Sequence, residues 1–132
     1  MSSIIHGYIH CFSFETEAEE YNLNILSQLE KTDSYLVRPM FNLIPNMKEH
    51  CYYGHLINFA AYYKNIWCTD NDWISDYESF ISKLFWDSSE VIQVYTGERI
   101  MWRSTGTHES NKIEGLEIKE SKKYSSYHET ND

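Results

Sequence analysis

The sequence predicts an α+β sandwich with the element order β-α-β-β-α-β. Three observations point there: a period-two strand over residues 4–14, two apolar stripes at helical spacing, and aromatic or β-branched runs between and after them.

The first strand is the stretch around "IHGYIHCFSF". Its odd positions Ile5, Gly7, Ile9 and Cys11 are small or aliphatic, and its even positions His6, Tyr8, His10 and Phe12 are aromatic. That alternation describes a strand with two unlike faces. Thr16-Glu17-Ala18-Glu19 then forms a capping-box pattern, and Ala18, Tyr21, Ile25, Leu26 and Leu29 repeat at helical spacing. The next run, Tyr35 to Ile44, is extended in character but contains Pro39, which suits an edge strand. Pro45-Asn46 supplies a turn.

The run "GHLINFAAYYKNIW" from Gly54 carries both a helical stripe (Leu56, Phe59, Ala60, Tyr63) and β-favouring aromatics; the aromatics favour a strand. Asp70-Asn71-Asp72 offers helix N-caps, after which Trp73, Tyr77, Phe80, Ile81 and Leu84 trace an amphipathic helix. Val91 to Tyr95 is a β-branched strand, and Thr96-Gly97-Glu98 can turn it back into an extra strand at Arg99 to Arg103. This order is the split βαβ, or ferredoxin-like, pattern: an antiparallel sheet with two helices on one face. Residues 1–103 are expected to form that domain, and the Ser-, Lys- and Glu-rich residues 104–132 a polar tail that can pack on it.

Composition narrows the function. A chain of 132 residues, 42% hydrophobic, can build one domain with a real core, and its net charge of −9 speaks against a nucleic-acid binder and for a basic partner. The N-terminus does not read as a secretory signal, and no apolar run reaches membrane-spanning length. Cys11, Cys51 and Cys68 are odd in number and widely spaced, so neither a disulfide framework nor a zinc ribbon is expected. Together these features suggest a cytoplasmic protein with reduced thiols.

The same topology is expected to gather acids. If strands 1 and 3 are neighbouring, central and parallel, both strand-to-helix corners lie at one end of the sheet. Glu15, Glu17, Glu19 and Glu20 would mark the first corner and Asp70, Asp72, Asp76 and Glu78 the second, so eight of the fourteen acids of residues 1–103 would share a rim. Carboxylates at helix starts also stabilise the macrodipole by roughly 0.3–1 kcal/mol each, which accounts for each cluster singly.

Catalytic signatures are missing from the sequence. The five glycines do not form a phosphate loop, and there is no nucleophile elbow or His-Glu-x-x-His helix. On a strand, His6 and His10 share a face but stand ~13 Å apart at ~3.3 Å per residue, too far to grip one ion. Cys11 points away from His10, into the core, as an inert thiol. No catalytic residue, metal or cofactor is therefore expected. The open side of the sheet, with His6, Tyr8, His10 and Phe12, then Leu56, Asn58, Ala60 and Tyr62, and Gln93 and Tyr95, resembles the face on which RNA-recognition modules stack bases. Lacking a basic surround, it suits a homodimer contact, a lid made by the tail, or a protein partner better.

The run from Gly54, together with the following "DNDWISDYESFISKLFWDSSEVIQVYTGERIMW", resembles small bacterial immunity proteins encoded beside polymorphic or contact-dependent growth-inhibition toxins. The shared layout is a Gly-His-Leu-like strand with a Tyr-Lys ending, a Trp-rich helix and a strand closing on Trp. It covers Gly54 to Trp102, with weaker support from Ile5 to Leu29. The resemblance implies a non-enzymatic protein that binds a cognate toxin domain, often a nuclease, and blocks its active site or substrate surface. The expected contact face comprises Glu15, Glu17, Glu20, Asp70, Asp72 and Asp76 with Trp67, Trp73, His10 and Tyr62 beside them. The competing expectation is a dimeric ferredoxin-like small-molecule binder or enzyme, with a pocket between sheet and helices lined by groups such as His6, His10 and Tyr62.

Overall fold

The computed structural model describes residues 2–12, 16–32, 34–46, 54–64, 71–95, 97–104 and 118–125. The elements run β1 (Ser2–Cys11), α1 (Thr16–Ser27), a 3-10 turn (Arg38–Met40), β2 (Phe41–Ile44), β3 (His55–Lys64), α2 (Asn71–Ile81), β4 (Ser88–Gln93), β5 (Glu98–Ser104) and β6 (Ile118–Ser125). The architecture is α+β, one antiparallel sheet in the order β2-β3-β1-β4-β5-β6 with two helices, consistent with the ferredoxin-like class. No helix among the described residues is long and apolar enough to cross a membrane.

The strand pairings follow from the side-chain alternation. β1 is central, pairing antiparallel with β3 from Ser2↔Lys64 to Cys11↔His55 and with β4 from Ile5↔Gln93 to His10↔Ser88. Because β1 and β2 both oppose β3, they run parallel with β3 between them; β3 and β4 likewise flank β1. Pro39 ends up in the 3-10 turn, and only the four residues after it pair, at the sheet's edge. A fixed φ and a missing N–H make that position unsuitable for a ladder but suitable for the turn before it. Beyond β5, the segment read as a polar tail supplies β6, paired from Glu98↔Ser125 to Ser104↔Ile118.

One face of this sheet is covered. Ile5 and Ile9 of β1, Ile57 and Phe59 of β3, Val91 of β4, and Ile100 and Trp102 of β5 form one core with Leu26 of α1 and Trp73, Tyr77, Phe80 and Ile81 of α2. Fully burying an aliphatic side chain such as Ile5 or Leu26 contributes roughly 1.5–3 kcal/mol. The odd positions of β1 therefore face both helices, as the alternation predicts. Two polar groups of this core pair: the Tyr77 hydroxyl with Ser89 Oγ at 2.6 Å, and Trp102 Nε1, which donates to Glu78 Oε2 at 2.8 Å. Burial keeps the Tyr77 phenol neutral by pushing its pKa upward.

Two glycines are required by contact. At Gly7 an added Cβ would stand 2.7 Å from Cζ of Phe59 and collide with the Glu90 carbonyl oxygen, so the bare backbone is what lets the Phe59 ring lie across β1. Gly54 has φ +70°, and a Cβ there would run into the Cys11 carbonyl.

Candidate functional site

The antiparallel pairing of β1 with β3 separates the predicted acidic rim. The parallel arrangement assumed for those strands would have put both helix starts together; the register instead places the end of β1 beside the start of β3. Ala18 of α1 packs with Cys11 and Phe85 at that end. The N–H of Asp87, in the loop after α2, donates to His10 O at 2.7 Å, so α2 finishes where α1 begins. Glu17 and Glu20 thus lie toward one end of the sheet and Asp72 toward the other, with Asp76 halfway along α2 and a ten-residue strand of roughly 30 Å between the ends.

The remaining predicted contacts also divide. Trp73 is fully buried and stacks on Tyr77 with ring centroids 5.0 Å apart. Its place on the same helical stripe as Tyr77 and Phe80 makes it a core residue, and it is withdrawn as a partner contact. Tyr62 is 67% exposed on the uncovered face, and His10 lies on that face with its ring edge-on to Phe12 at 4.4 Å. Register pairs Tyr62 with Ile4 and His10 with Leu56, so the two stand toward opposite ends. Glu15, Trp67 and Asp70 lie outside the described residues. The expected surface position of Gln93 is also corrected: β4 buries Ser89, Val91 and Gln93 together on the helix side and presents Glu90 and Ile92 outward, while Tyr95 falls in the turn beyond the strand.

What the structure does bring together is the uncovered face. His6, Tyr8 and His10 of β1 stand beside Leu56, Asn58, Ala60, Tyr62 and Lys64 of β3, as the alternation predicts for all but Lys64, and beside Arg99, Met101 and Arg103 of β5 across β4. Glu90 bonds Arg99 at 2.6 Å. Burial first, and then the Glu90 carboxylate, raises the pKa of Tyr8, which register places directly opposite. Near β2 a cleft of about 410 Å³ opens, lined by His6, Asn42, Asn58 and Ala60 with Pro39 and Met40 of the 3-10 turn on its side. His6 therefore faces away from the helices, as do His10 and Tyr62, so these three do not line a pocket between sheet and helices.

A second polar cluster lies inside. The N–H of Phe85 donates to Asn22 Oδ1 at 2.8 Å, and Asn22 Nδ2 donates to the Phe85 carbonyl at 2.8 Å. This two-point grip fixes which way the carboxamide points, so Nδ2 also faces His55 Nε2 at 2.7 Å. Nε2 must then accept, placing the ring proton on Nδ1, which is buried and has no partner. His55 is 1% exposed and its pKa falls to about 4, chiefly by desolvation and secondarily through His10. Neither Asn22 nor His55 was singled out from sequence, although Asn22 sits four residues after Ala18, on the buried stripe.

Among the described residues no group of three or more His, Cys, Asp and Glu could hold a metal ion. No protein-family model, curated protein or solved structure matches the chain.

Proposed function

We propose that this chain binds and neutralises a cognate bacterial toxin domain, as the immunity proteins it resembles do, and carries out no reaction of its own. The observation that carries the proposal is the charge of the helical layer. α1 and α2 together hold six acids, Glu17, Glu19, Glu20, Asp72, Asp76 and Glu78, and no lysine or arginine. A layer of one sign steers a partner of the other, and a nuclease toxin presents a basic substrate cleft that such a layer can occlude. The acids act here as a spread layer along two helices rather than as one rim. Its place of action is the cytoplasm, where such a toxin attacks.

The finer reading of the fold that accompanies this function is a ferredoxin-like domain extended past β4 by β5 and β6; the order β2-β3-β1-β4 of the first four strands supports it.

Co-expression with the toxin domain encoded beside it is the test. A stable complex and protected cells are expected; toxicity unrelieved by co-expression, with no complex recovered, rejects the proposal. Reversing Glu17, Glu20, Asp72 and Asp76 to lysine is expected to slow association about tenfold or more and to flatten its salt dependence, because long-range steering acts on the association rate.

A further inference from the structure

The charge of −9 belongs to the whole chain, but a ligand meets one face. In strands β1 to β5, Glu90 is the sole acid at an open-face position, and it is bonded to Arg99. The same face carries Lys64, Arg99 and Arg103, of which Lys64 and Arg103 are exposed. The acids of the helices lie across a layer about 10 Å thick, beyond the roughly 8 Å over which physiological salt lets exposed charges act. Among the described side chains of β1 to β5, the charge on the open face is therefore positive in spite of the total.

Three kinds of group share this cationic face. Tyr62 is 67% exposed, Tyr8 occupies the middle of the central strand, and the His10 and Phe12 rings pack edge to face toward its far end. The 410 Å³ cleft beside β2 is lined by two carboxamides, Asn42 and Asn58, paired directly across the strands, and by the His6 imidazole, with no Asp, Glu, Lys or Arg. Carboxamides and an imidazole offer donors and acceptors side by side, which suits the edge of a planar base and a ribose hydroxyl. Exposed aromatic rings supply stacking that any base can use, and lysine and arginine meet phosphates.

We infer that the open face of the sheet binds single-stranded RNA. One base enters the cleft against Asn42, Asn58 and His6, its neighbours stack on Tyr62 and Tyr8, and Lys64 and Arg103 meet the backbone. This activity occupies the face opposite the acidic helices and stands apart from the toxin-binding reading.

Fluorescence anisotropy of a labelled eight-nucleotide RNA of mixed sequence, titrated with the full chain at two salt concentrations, tests it. Saturable binding is expected, with log K falling against log[salt] at a slope of about −1.4 for two phosphate contacts. Tyr62→Ala is expected to weaken binding roughly tenfold and Tyr62→Phe to restore it, since the ring alone stacks. Arg103→Glu is expected to weaken binding and take about 0.7 off the slope. Asp72→Lys, across the helical layer, should leave affinity within about twofold. Tyr62 and Arg103 are exposed, so their variants should keep the parent urea midpoint. No anisotropy change, a salt-independent signal, equal affinity for a DNA strand or a duplex of the same sequence, or an Asp72→Lys gain as large as the Arg103→Glu loss would each overturn the inference.

Discussion

His55 makes the stability of this protein depend on pH in a way that a single substitution can isolate. Asn22, held at both amide atoms by the backbone of Phe85, presents an NH₂ to Nε2 of the imidazole. Desolvation in a site with 1% exposure, and secondarily His10, lowers the pKa from 6.5 to about 4, and protonating that nitrogen would also set donor against donor. Between those values the unfolded chain holds a proton that the folded one refuses, so stability is full above the unfolded pKa and declines as pH falls toward the folded one. At about 1.4 kcal/mol per pH unit, the full difference is roughly 3 kcal/mol, of which about 2 kcal/mol is lost between pH 7.5 and pH 5. His55→Gln keeps an acceptor for Asn22 but does not titrate. Urea unfolding followed by tryptophan fluorescence across that pH range, on both proteins, should give profiles that diverge by about 2 kcal/mol at the acid end. Parallel profiles would refute the buried neutral imidazole, as would an NMR titration showing His55 protonated near pH 6.5.

Two further substitutions probe packing. Tyr77→Phe strands the buried Ser89 hydroxyl and should cost about 1–3 kcal/mol in the urea midpoint, and adding Ser89→Ala should recover part of it. Gly54→Ala forces a side chain into a positive-φ position against the Cys11 carbonyl; the loss should exceed about 1 kcal/mol, and unchanged thermal stability would show that the β1–β3 corner can shift.

Where the fold was legible in the sequence, a periodicity carried it. The two faces of β1 and the stripe Trp73, Tyr77, Phe80, Ile81 and Leu84 were visible because alternation and helical spacing are local properties. Pro39 signalled an edge for the same local reason. The acidic rim rested on a parallel β1 and β3, at odds with the antiparallel sheet that the element order implies; side-chain alternation is the same in both ladders and gave no warning, and that one sign separates the two acid clusters. β6 escaped notice because a charged edge strand has the composition of a loop. Gln93, placed on the open face, and Asn22, not singled out, are polar residues that the fold buries fully, which side-chain polarity does not announce. Trp73 was misplaced among the contact residues by its proximity to acids in the chain, although its helical stripe already pointed to the core.

The central position of β1 also bears on how the protein is made. β1 is synthesised before both of its neighbours, β3 on one side and β4, whose last residue is Gln93, on the other. At translation rates of 5–20 residues per second, roughly 4–16 s pass between the emergence of β1 and that of its second neighbour. Until β3 is complete at Lys64 both edges of this aromatic, imidazole-bearing strand are open, and the edge that meets β4 stays open for the rest of the interval. A nascent chain arrested before residue 88 should therefore be the species that chaperones hold or that aggregates, and synthesis slowed before β4 should lower soluble yield while the finished domain keeps its stability.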